Sequence, residues 1–250
     1  MYKRLFAVIF SLLMLLSSCS KNKEIDYSEK ILAVETASLA SEAAESVRKD
    51  FEEVKEYSTL DAVVSAVETE VADFAVIDEF TAGLYIGNER KIKLVKELPF
   101  TTEYHIYFKK GSSYVEKFNA EILELTENGT IEAIKESYKS GEVYYPELTE
   151  LPSYAPTLTA AVAIVGEPYS DLDDNGYVTG IDINIATLIS NSLGCNLEIM
   201  VDSGDEIFKM LEEGKVDFII SGLLYEEERL VAYDCSFSYL TTEYAIYKKG

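Results

Sequence analysis

One stretch of the sequence has the spacing of a cation-binding loop. Between Asp171 and Asp182, oxygen-bearing side chains occupy loop positions 1, 3, 5, 9 and 12, and a glycine occupies position 6. Calcium loops need such a pattern because the cation takes about six to eight oxygen ligands around a sharp turn. No helix pattern precedes the loop, however, and we expect a polar hairpin turn without a metal. The ligands of the calcium alternative would be Asp171, Asp173, Asn175 and Asp182.

The motifs of common catalytic sites are missing from the sequence. It contains no H-E-x-x-H, C-x-x-C, G-x-S-x-G or Walker-type motif, and these are the usual signatures of metal, thiol, serine and phosphate chemistry. His105 is the only histidine, and it lies in an apolar, strand-like stretch. We therefore expect no enzyme and no cofactor, with His105 on the face of a strand.

A repeat indicates how the chain is built. Residues 101–111 (TTEYHIYFKKG) recur as residues 241–250 (TTEYAIYKKG), with one residue inserted in the first copy. A helix-like stretch and a short apolar strand precede each copy, at Val71–Ile77 and at Val216–Ile220. Two distant copies are too few for a solenoid, so the repeat indicates two halves with duplicated supersecondary units.

Within each half, apolar runs alternate with helical patterns. In the first half, strands at Leu32–Val34 and Phe74–Ile77 enclose helices predicted at Ala37–Phe51 and Leu60–Val67. This order is typical of βαβ units with parallel strands. Residues 144–157 contain three of the five prolines and no helical period, which predicts an extended connector. The sequence thus predicts an α/β protein of two lobes.

Two motif-rich segments resemble the type II periplasmic solute-binding proteins of polar amino acid uptake systems. Residues 167–184 resemble that family's opening strand, loop and "G-F-D-x-D" helix start, and residues 214–238 resemble its "G-K-x-D-x-I-x-S-G…E-R…V-D-F-S" core. The resemblance implies two Rossmann-like lobes joined by a hinge. It also implies capture of a small polar solute, such as an amino acid, by lobe closure, and delivery to an ABC permease.

The order of the parts differs from that of the family. The core that opens the family's chain comes last here, and residues 31–140 resemble the family's second half. A circular permutation is the simplest account, and it requires Gly250 and the segment near Lys30 to lie close together. A truncated tandem gene is the alternative. The resulting division is 1–18 signal peptide, 19–30 tether, 31–100 second lobe, 101–111 and 239–250 strands at or beyond the hinge, 112–143 closing helices of the first lobe, 144–157 connector, and 158–238 main part of the first lobe.

The resemblance also implies a binding site. A zwitterion needs a fixed cation and a fixed anion, because burying either charge unpaired costs several kcal/mol. The family match assigns the ligand carboxylate to Arg229 and the amino group to Asp78. The other predicted ligand-binding residues are Ser221, Gly222, Ser38 and Tyr169. From the residues alone, Arg229 would pair with a nearby glutamate, Asp78 would cap a helix starting near Glu79, and Ser38 would be a plain N-cap.

Three departures from the family pattern leave the ligand open. Gly166 and Gly204 align with the aromatic rings that usually clamp the ligand, and Leu224 replaces a common serine or threonine. Tyr169 or Tyr225 would have to supply a ring, and a pocket that no longer binds stays an alternative. Two further functions stay alternatives: an extracellular sensor or partner-binding module, and a dehydratase-like enzyme that uses Glu35 or Asp78.

The N-terminus predicts an exported, lipid-anchored protein. Lys3 and Arg4 precede an apolar run that ends in Leu16-Ser17-Ser18-Cys19, which resembles a bacterial lipobox. We expect removal of residues 1–18 and attachment of Cys19 to the extracytoplasmic face of the cell membrane. An ordinary secretory signal is the alternative.

Charge and cysteine content exclude two other classes. Without Lys3 and Arg4, the formal charge of −23 becomes −25, which repels nucleic acid phosphates. Cys195 and Cys235 are too few for a disulfide framework, and we expect two buried free thiols.

Overall fold

Strands and helices alternate along most of the chain. The computed structural model describes residues 25–86 and 91–250. The strands are β1 (Ile31–Glu35), β2 (Glu53–Tyr57), β3 (Phe74–Asp78), β4 (Ile92–Lys109), β5 (Thr157–Val162), β6 (Asp171–Leu172), β7 (Val178–Thr179), β8 (Asn196–Val201), β9 (Phe218–Ile219) and β10 (Tyr233–Lys249). The helices are α1 (Leu39–Ala44), α2 (Leu60–Glu68), α3 (Glu79–Ile86), α4 (Tyr114–Glu127), α5 (Thr130–Lys139), α6 (Ile181–Ser192) and α7 (Gly204–Glu212). No helix within these ranges is long and apolar enough to cross a bilayer.

The predicted α/β architecture is confirmed by the sheet. Its strand order is β2-β1-β3-β10-β4-β9-β5-β8. Around β1, the strands β2 and β3 run parallel, and β10 returns antiparallel to β3. Around β5, the strands β8 and β9 run parallel, and β4 returns antiparallel to β9. Each half therefore has the same plan, and the two plans form two lobes of one mixed sheet.

Two long strands, β4 and β10, pass from one lobe to the other. They pair antiparallel along their length, and we call this pair the hinge ribbon. The repeated motif lies at its centre, where Thr102 pairs with its own counterpart Thr242 and Glu103 pairs with Thr241. The two copies are thus related by an approximate two-fold axis through the threonine pair. Register shifts occur on both sides, at Ser238/Leu240 and Glu243/Ala245.

Burial explains why the central strands form where they do. The β3 sequence FAVID is buried at its first four residues, and β1 is buried at its three central residues. Parallel strands covered on both faces need such continuous apolar runs. Helices α2 and α3 pack on this lobe, and α4, α5, α6 and α7 cover the other.

The helix predicted at Ala37–Phe51 was wrong in extent. Ala37 adopts a left-handed φ of 54°, and Ser38 caps α1 through its hydroxyl, which accepts from the amide of Ser41. The helix stops at Ala44, and the Ser46 hydroxyl donates to the Ala43 carbonyl. Such side-chain bonds to the backbone compete with helix continuation. A separate 3₁₀ turn at Arg48–Asp50 follows.

The two cysteines are free thiols that pack in different core clusters. Cys195 is buried in the cluster that contains α4, α5 and α6, and Cys235 is partly buried against the cluster beside α7. Only Cys195 is as buried as expected.

The ends of β1 and β10 lie close together. Lys30 pairs with Asp73 at 2.9 Å and Lys249 pairs with Glu70 at 2.7 Å, so both contact the turn that leads into β3. Strand β3 lies between β1 and β10. Because neighbouring strands are about 4.8 Å apart, these two ends are about 10 Å apart. The spatial condition for the permutation is met, while the permutation itself stays a prediction.

Candidate functional site

A cavity of about 350 Å³ lies between the two lobes. It is at the carboxyl ends of β1 and β3 on one side and beyond β5 on the other, which is where open α/β sheets bind ligands. Its volume is within the range of small-molecule sites, about 300 to 1,000 Å³. The described residues that line it are Glu35, Ser38, Leu39, Ala40, Leu60, Val76, Ile77, Asp78, Thr81, Val165, Gly166, Glu167, Tyr169 and Tyr244.

Asp78 lines this cavity and also caps a helix. It is the last residue of β3, and its Oδ1 accepts hydrogen bonds from the amides of Phe80 (3.2 Å) and Thr81 (3.0 Å) at the start of α3. The same oxygen accepts a 2.8 Å bond from the Tyr169 hydroxyl. Burial raises the pKa of Asp78, against the effect of these bonds. The cap foreseen from the residues alone therefore coexists with a position on the cavity wall.

Tyr169 connects the lobes across the cavity. Its hydroxyl donates to Asp78 and lies 3.4 Å from the Thr242 Oγ1, and its ring packs edge-on against Tyr104 at 5.5 Å. Gly180 makes room for this segment, since it has a φ of 123° and a Cβ there would overlap the Tyr169 carbonyl. The backbone at Tyr169 is thus held by the start of α6 while its side chain reaches the other lobe.

The hinge ribbon supplies the floor of the site. Tyr244 lines the cavity, and Tyr104 occupies the matching place in the other copy of the repeat. Burial raises the pKa of both phenols, and the nearby charge of Asp78 raises both further. Neither tyrosine was predicted as a site residue from the sequence, although both belong to the repeated T-T-E-Y motif.

Arg229 is engaged away from this cavity. Its Nη2 is 3.0 Å from the Glu226 Oε1, and its Nη1 donates to the Leu224 carbonyl at 3.3 Å. Its guanidinium also lies over the rings of Tyr107 (5.6 Å) and Phe208 (5.2 Å). The structure therefore does not bring Arg229 and Asp78 into one cavity, and it has the glutamate pairing that the residues alone indicated.

The other predicted site residues take mixed positions. Ser38 lines the cavity, but its hydroxyl is used at the α1 cap and in a 2.7 Å bond to the Glu35 carbonyl. Ser221 is 2% exposed and exchanges hydrogen bonds with the backbone of Ala163, which joins the ends of β5 and β9. Gly222 follows it, beside Val165 at the cavity rim.

Two residues of the calcium alternative, Asp173 and Asp182, have hydrogen-bond partners within the protein. Asp173 Oδ1 accepts the amides of Asn175 and Tyr177, as in a polar turn. Asp182 is fully buried in α6, where its Oδ1 accepts a 2.7 Å bond from the Tyr239 hydroxyl. Asp182 thus faces the lobe core instead of the loop.

His105 lies on β4 as predicted. It is 8% exposed, and its Nδ1 is 3.0 Å from the Ser236 carbonyl oxygen. The carbonyl can only accept, so Nδ1 carries the proton.

A second contact between the lobes joins α3 to the end of α5. Gly83 packs so closely that a Cβ there would overlap the Tyr138 carbonyl, and Gly141 is equally close to the Gly83 carbonyl. Lys139 pairs with Glu79 at 2.7 Å beside this contact. The lobes are thus connected at Tyr169–Asp78 and at Gly83–Gly141.

Removal of the Tyr169 hydroxyl tests the first connection. We expect Tyr169→Phe to lower the melting temperature of the unliganded protein by about 2 to 4 °C, because a net hydrogen bond is worth about 1 kcal/mol. Small-angle scattering should show a larger radius of gyration as the lobes separate. Tyr177→Phe, on a ring that is 72% exposed, is the matched control. Unchanged melting and scattering would mean that the bond does not hold the lobes together.

Comparison with known proteins identifies the C-terminal part of the chain. Residues 158–250, from β5 through β10, match the family of bacterial extracellular solute-binding proteins, family 3. This confirms, for that segment, the resemblance read from its motifs.

Curated relatives match over limited segments. The Probable ABC transporter arginine-binding protein ArtJ of Chlamydia trachomatis serovar D is 35% identical over 63 residues, which cover 25% of this chain and 24% of that protein. The membrane-bound lytic murein transglycosylase F of Actinobacillus pleuropneumoniae serotype 5b is 30% identical over 91 residues, which cover 36% of this chain and 19% of that protein. The chain thus spans about a quarter or less of these relatives.

Two solved structures are similar over most of the chain. The arginine-bound Gly52Ala mutant of ArgBP from T. maritima has 13% identity and a TM-score of 0.39, with 89% of this chain and 88% of that chain covered. A phosphate ABC transporter, phosphate-binding protein from Streptococcus pneumoniae TIGR4 has 9% identity and a TM-score of 0.44, with 89% of each chain covered.

Proposed function

We propose that this chain is a solute receptor that captures a small polar solute, an amino acid, between its lobes and delivers it to an ABC permease. The cavity between the lobes is the observation that carries this proposal. Its walls come from both lobes, and the hinge ribbon connects them. The family match of residues 158–250 supports the same class.

Lobe closure would follow from the placement of the polar groups. Asp78 and Glu35 belong to one lobe, and Tyr169 and Glu167 belong to the other. A solute that contacts both sets binds the closed state better than the open state, and this difference in affinity shifts the population towards closure. Closure is then the signal that a permease would recognise, and no step of this cycle requires catalysis by the receptor.

The amino group of the solute has a ready partner in Asp78. The carboxylate partner would be Arg229, which must first leave the Glu226 carboxylate and the Leu224 carbonyl. Bidentate geometry favours an arginine for this role. In the proposed cycle, Arg229 exchanges an internal partner for the ligand.

Anchoring completes the proposed role. The predicted signal peptide and the lipid-bearing Cys19 lie outside the residues that the structure describes. We place the mature protein on the outer face of the cell membrane through that lipid, and we take its gene to be a circular permutation of the family's order. Labelled fatty acid should be incorporated into the wild type but not into Cys19→Ser.

Thermal unfolding with a panel of amino acids tests the receptor role. A ligand at about 100 times its dissociation constant stabilises the native state by about 2.7 kcal/mol, which is an upshift of about 5 to 10 °C at this length. We expect at least one amino acid to produce it.

Arginine variants then test the carboxylate role. Arg229→Ala should reduce the upshift that an amino acid gives, and Arg48→Ala, an arginine paired with Glu45 on the lobe surface, should retain it in full. A panel without any upshift would contradict the amino acid receptor, and an upshift that is unchanged by Arg229→Ala would contradict only the role of Arg229.

A further inference from the structure

The charge on the cavity wall is of one sign. Among the fourteen described residues that line the cavity, Glu35, Asp78 and Glu167 carry carboxyl groups and none is a lysine, arginine or histidine. Glu35 ends β1 and Asp78 ends β3, and these two strands are neighbours. Glu167 approaches from the other lobe. A solute in the cavity is therefore bracketed by carboxyl groups from both sides.

Two candidate cations, Arg229 and Lys139, have partners outside the cavity lining. Arg229 is held by Glu226 and stacked on Phe208, and Lys139 is held by Glu79 outside the cavity lining. Burial raises the pKa of Asp78, as expected for a carboxyl group whose charge no neighbouring cation compensates. A ligand carboxylate in this cavity would meet like charge, and the arginine proposed to receive it is engaged with Glu226 outside the cavity lining.

The remaining polar groups also suit a cation. The hydroxyl oxygen of Thr81 can accept a hydrogen bond from an N–H donor, and the aromatic residues Tyr169 and Tyr244 line the cavity. Ammonium and guanidinium groups are attracted to the faces of such rings. The wall thus combines carboxylates, acceptors and rings, which is the set that binds an organic cation.

We propose that this cavity selects its solute by positive charge, so that its ligands are amine or guanidinium cations and an α-carboxylate is not required. The proposal rests on the proposed receptor function and names the class of solute. The cation also explains closure in electrostatic terms. A bound cation would be attracted by Glu35 and Asp78 on one lobe and by Glu167 on the other, so its binding would favour closure.

Calorimetric titration of the full mature protein with matched ligands tests this selection. The pairs are lysine with cadaverine and arginine with agmatine, in which the second member lacks the carboxylate. Norleucine is the neutral counterpart of lysine, and glutamate is the acidic control. We expect cadaverine or agmatine to bind at least as tightly as its parent amino acid, and norleucine and glutamate to bind at least 100-fold more weakly.

Variants locate the selection in the cavity. Glu35→Gln and Asp78→Asn should each weaken the binding of the cation by at least 10-fold. Glu198→Gln, an exposed carboxylate on β8, should leave it unchanged. Glu35 is not part of a helix cap, so its variant keeps the test valid if Asp78→Asn disturbs the start of α3.

The outcomes separate this inference from the receptor function. If lysine binds while cadaverine does not, or if norleucine binds as tightly as lysine, charge selection is wrong and an amino acid receptor stands. If neither cations nor amino acids bind, the receptor function and the charge selection are both wrong.

Discussion

Replacing Asp182 with asparagine is expected to remove a large part of the pH dependence of stability between about pH 4 and pH 7. Asp182 is fully buried, its Oδ1 accepts a bond from Tyr239, and its Oδ2 has no partner among the described residues. Burial raises the pKa of Asp182 from 3.8 to about 7. The native state therefore keeps a proton that the unfolded state releases in this range.

The sign of the effect follows from that proton. Because the folded-state pKa of Asp182 is raised, its contribution to stability is fully present below the unfolded-state pKa and is lost as the pH rises to about 7. A shift of this size corresponds to a loss on the order of 4 kcal/mol, since one pKa unit is about 1.4 kcal/mol. The asparagine variant should lose little over the same range.

Urea unfolding from pH 4.5 to 8.5 measures this difference. The slope with pH is the readout, because the asparagine N–H at the Oδ2 position lacks an acceptor and costs about 1 to 3 kcal/mol at every pH. Asp174→Asn, on an exposed residue of the nearby turn, should keep the wild-type slope. Parallel slopes for the wild type and Asp182→Asn would show that Asp182 is ionised in the native state.

Gly83→Ala is the second substitution for which we expect a large effect. Within a helix, alanine is normally better than glycine by about 1 kcal/mol. At Gly83 in α3, however, the added Cβ would overlap the backbone carbonyl of Tyr138 at the end of α5. Because backbone cannot rotate away, the two helices must separate, and overpacking of this kind costs about 1 to 3 kcal/mol.

The expected result is a melting temperature lower by about 3 to 10 °C and weaker binding of any ligand that contacts Asp78 at the start of α3. Gly204→Ala is the matched control, since it lies at the first turn of α7 and an added Cβ would contact nothing within 4 Å. It should leave melting unchanged or raise it. If Gly83→Ala were also neutral, the contact between α3 and α5 would not be tight in solution.

Patterns along the chain predicted the fold better than the site. Apolar runs fixed β1 and β3, and the repeat predicted two halves with one plan, because burial on both faces requires such runs. The first helix was overextended, since its apolar pattern does not reveal the left-handed Ala37. Local backbone conformation of this kind depends on tertiary contacts that a periodicity does not encode.

Side-chain partners were harder to predict from the sequence. Ser38, Asp78 and Tyr169 lie on the cavity, but Arg229 pairs with Glu226. Whether an arginine binds a neighbouring glutamate or a solute depends on the tertiary structure, which a motif does not encode. The calcium alternative placed Asp182 in a loop because the spacing was good, while helix α6 carries its side chain into the core. Tyr244 was overlooked because its place in the repeat has meaning only once β4 and β10 are paired.

The hinge ribbon has a mechanical consequence. Flexible loops would let the lobes move in any direction, whereas two strands bonded along their length resist stretching and shear and yield mainly to bending and twisting. The ladder is irregular at two places on each side of the Thr102–Thr242 pair: at Cys235/Ser238 and Ser238/Leu240, and at Glu243/Ala245 and Ile246/Tyr247. Bending should concentrate in these irregular segments. The lobes would then move as rigid bodies, and the curvature of the ribbon would set the angle between the lobes in the absence of ligand.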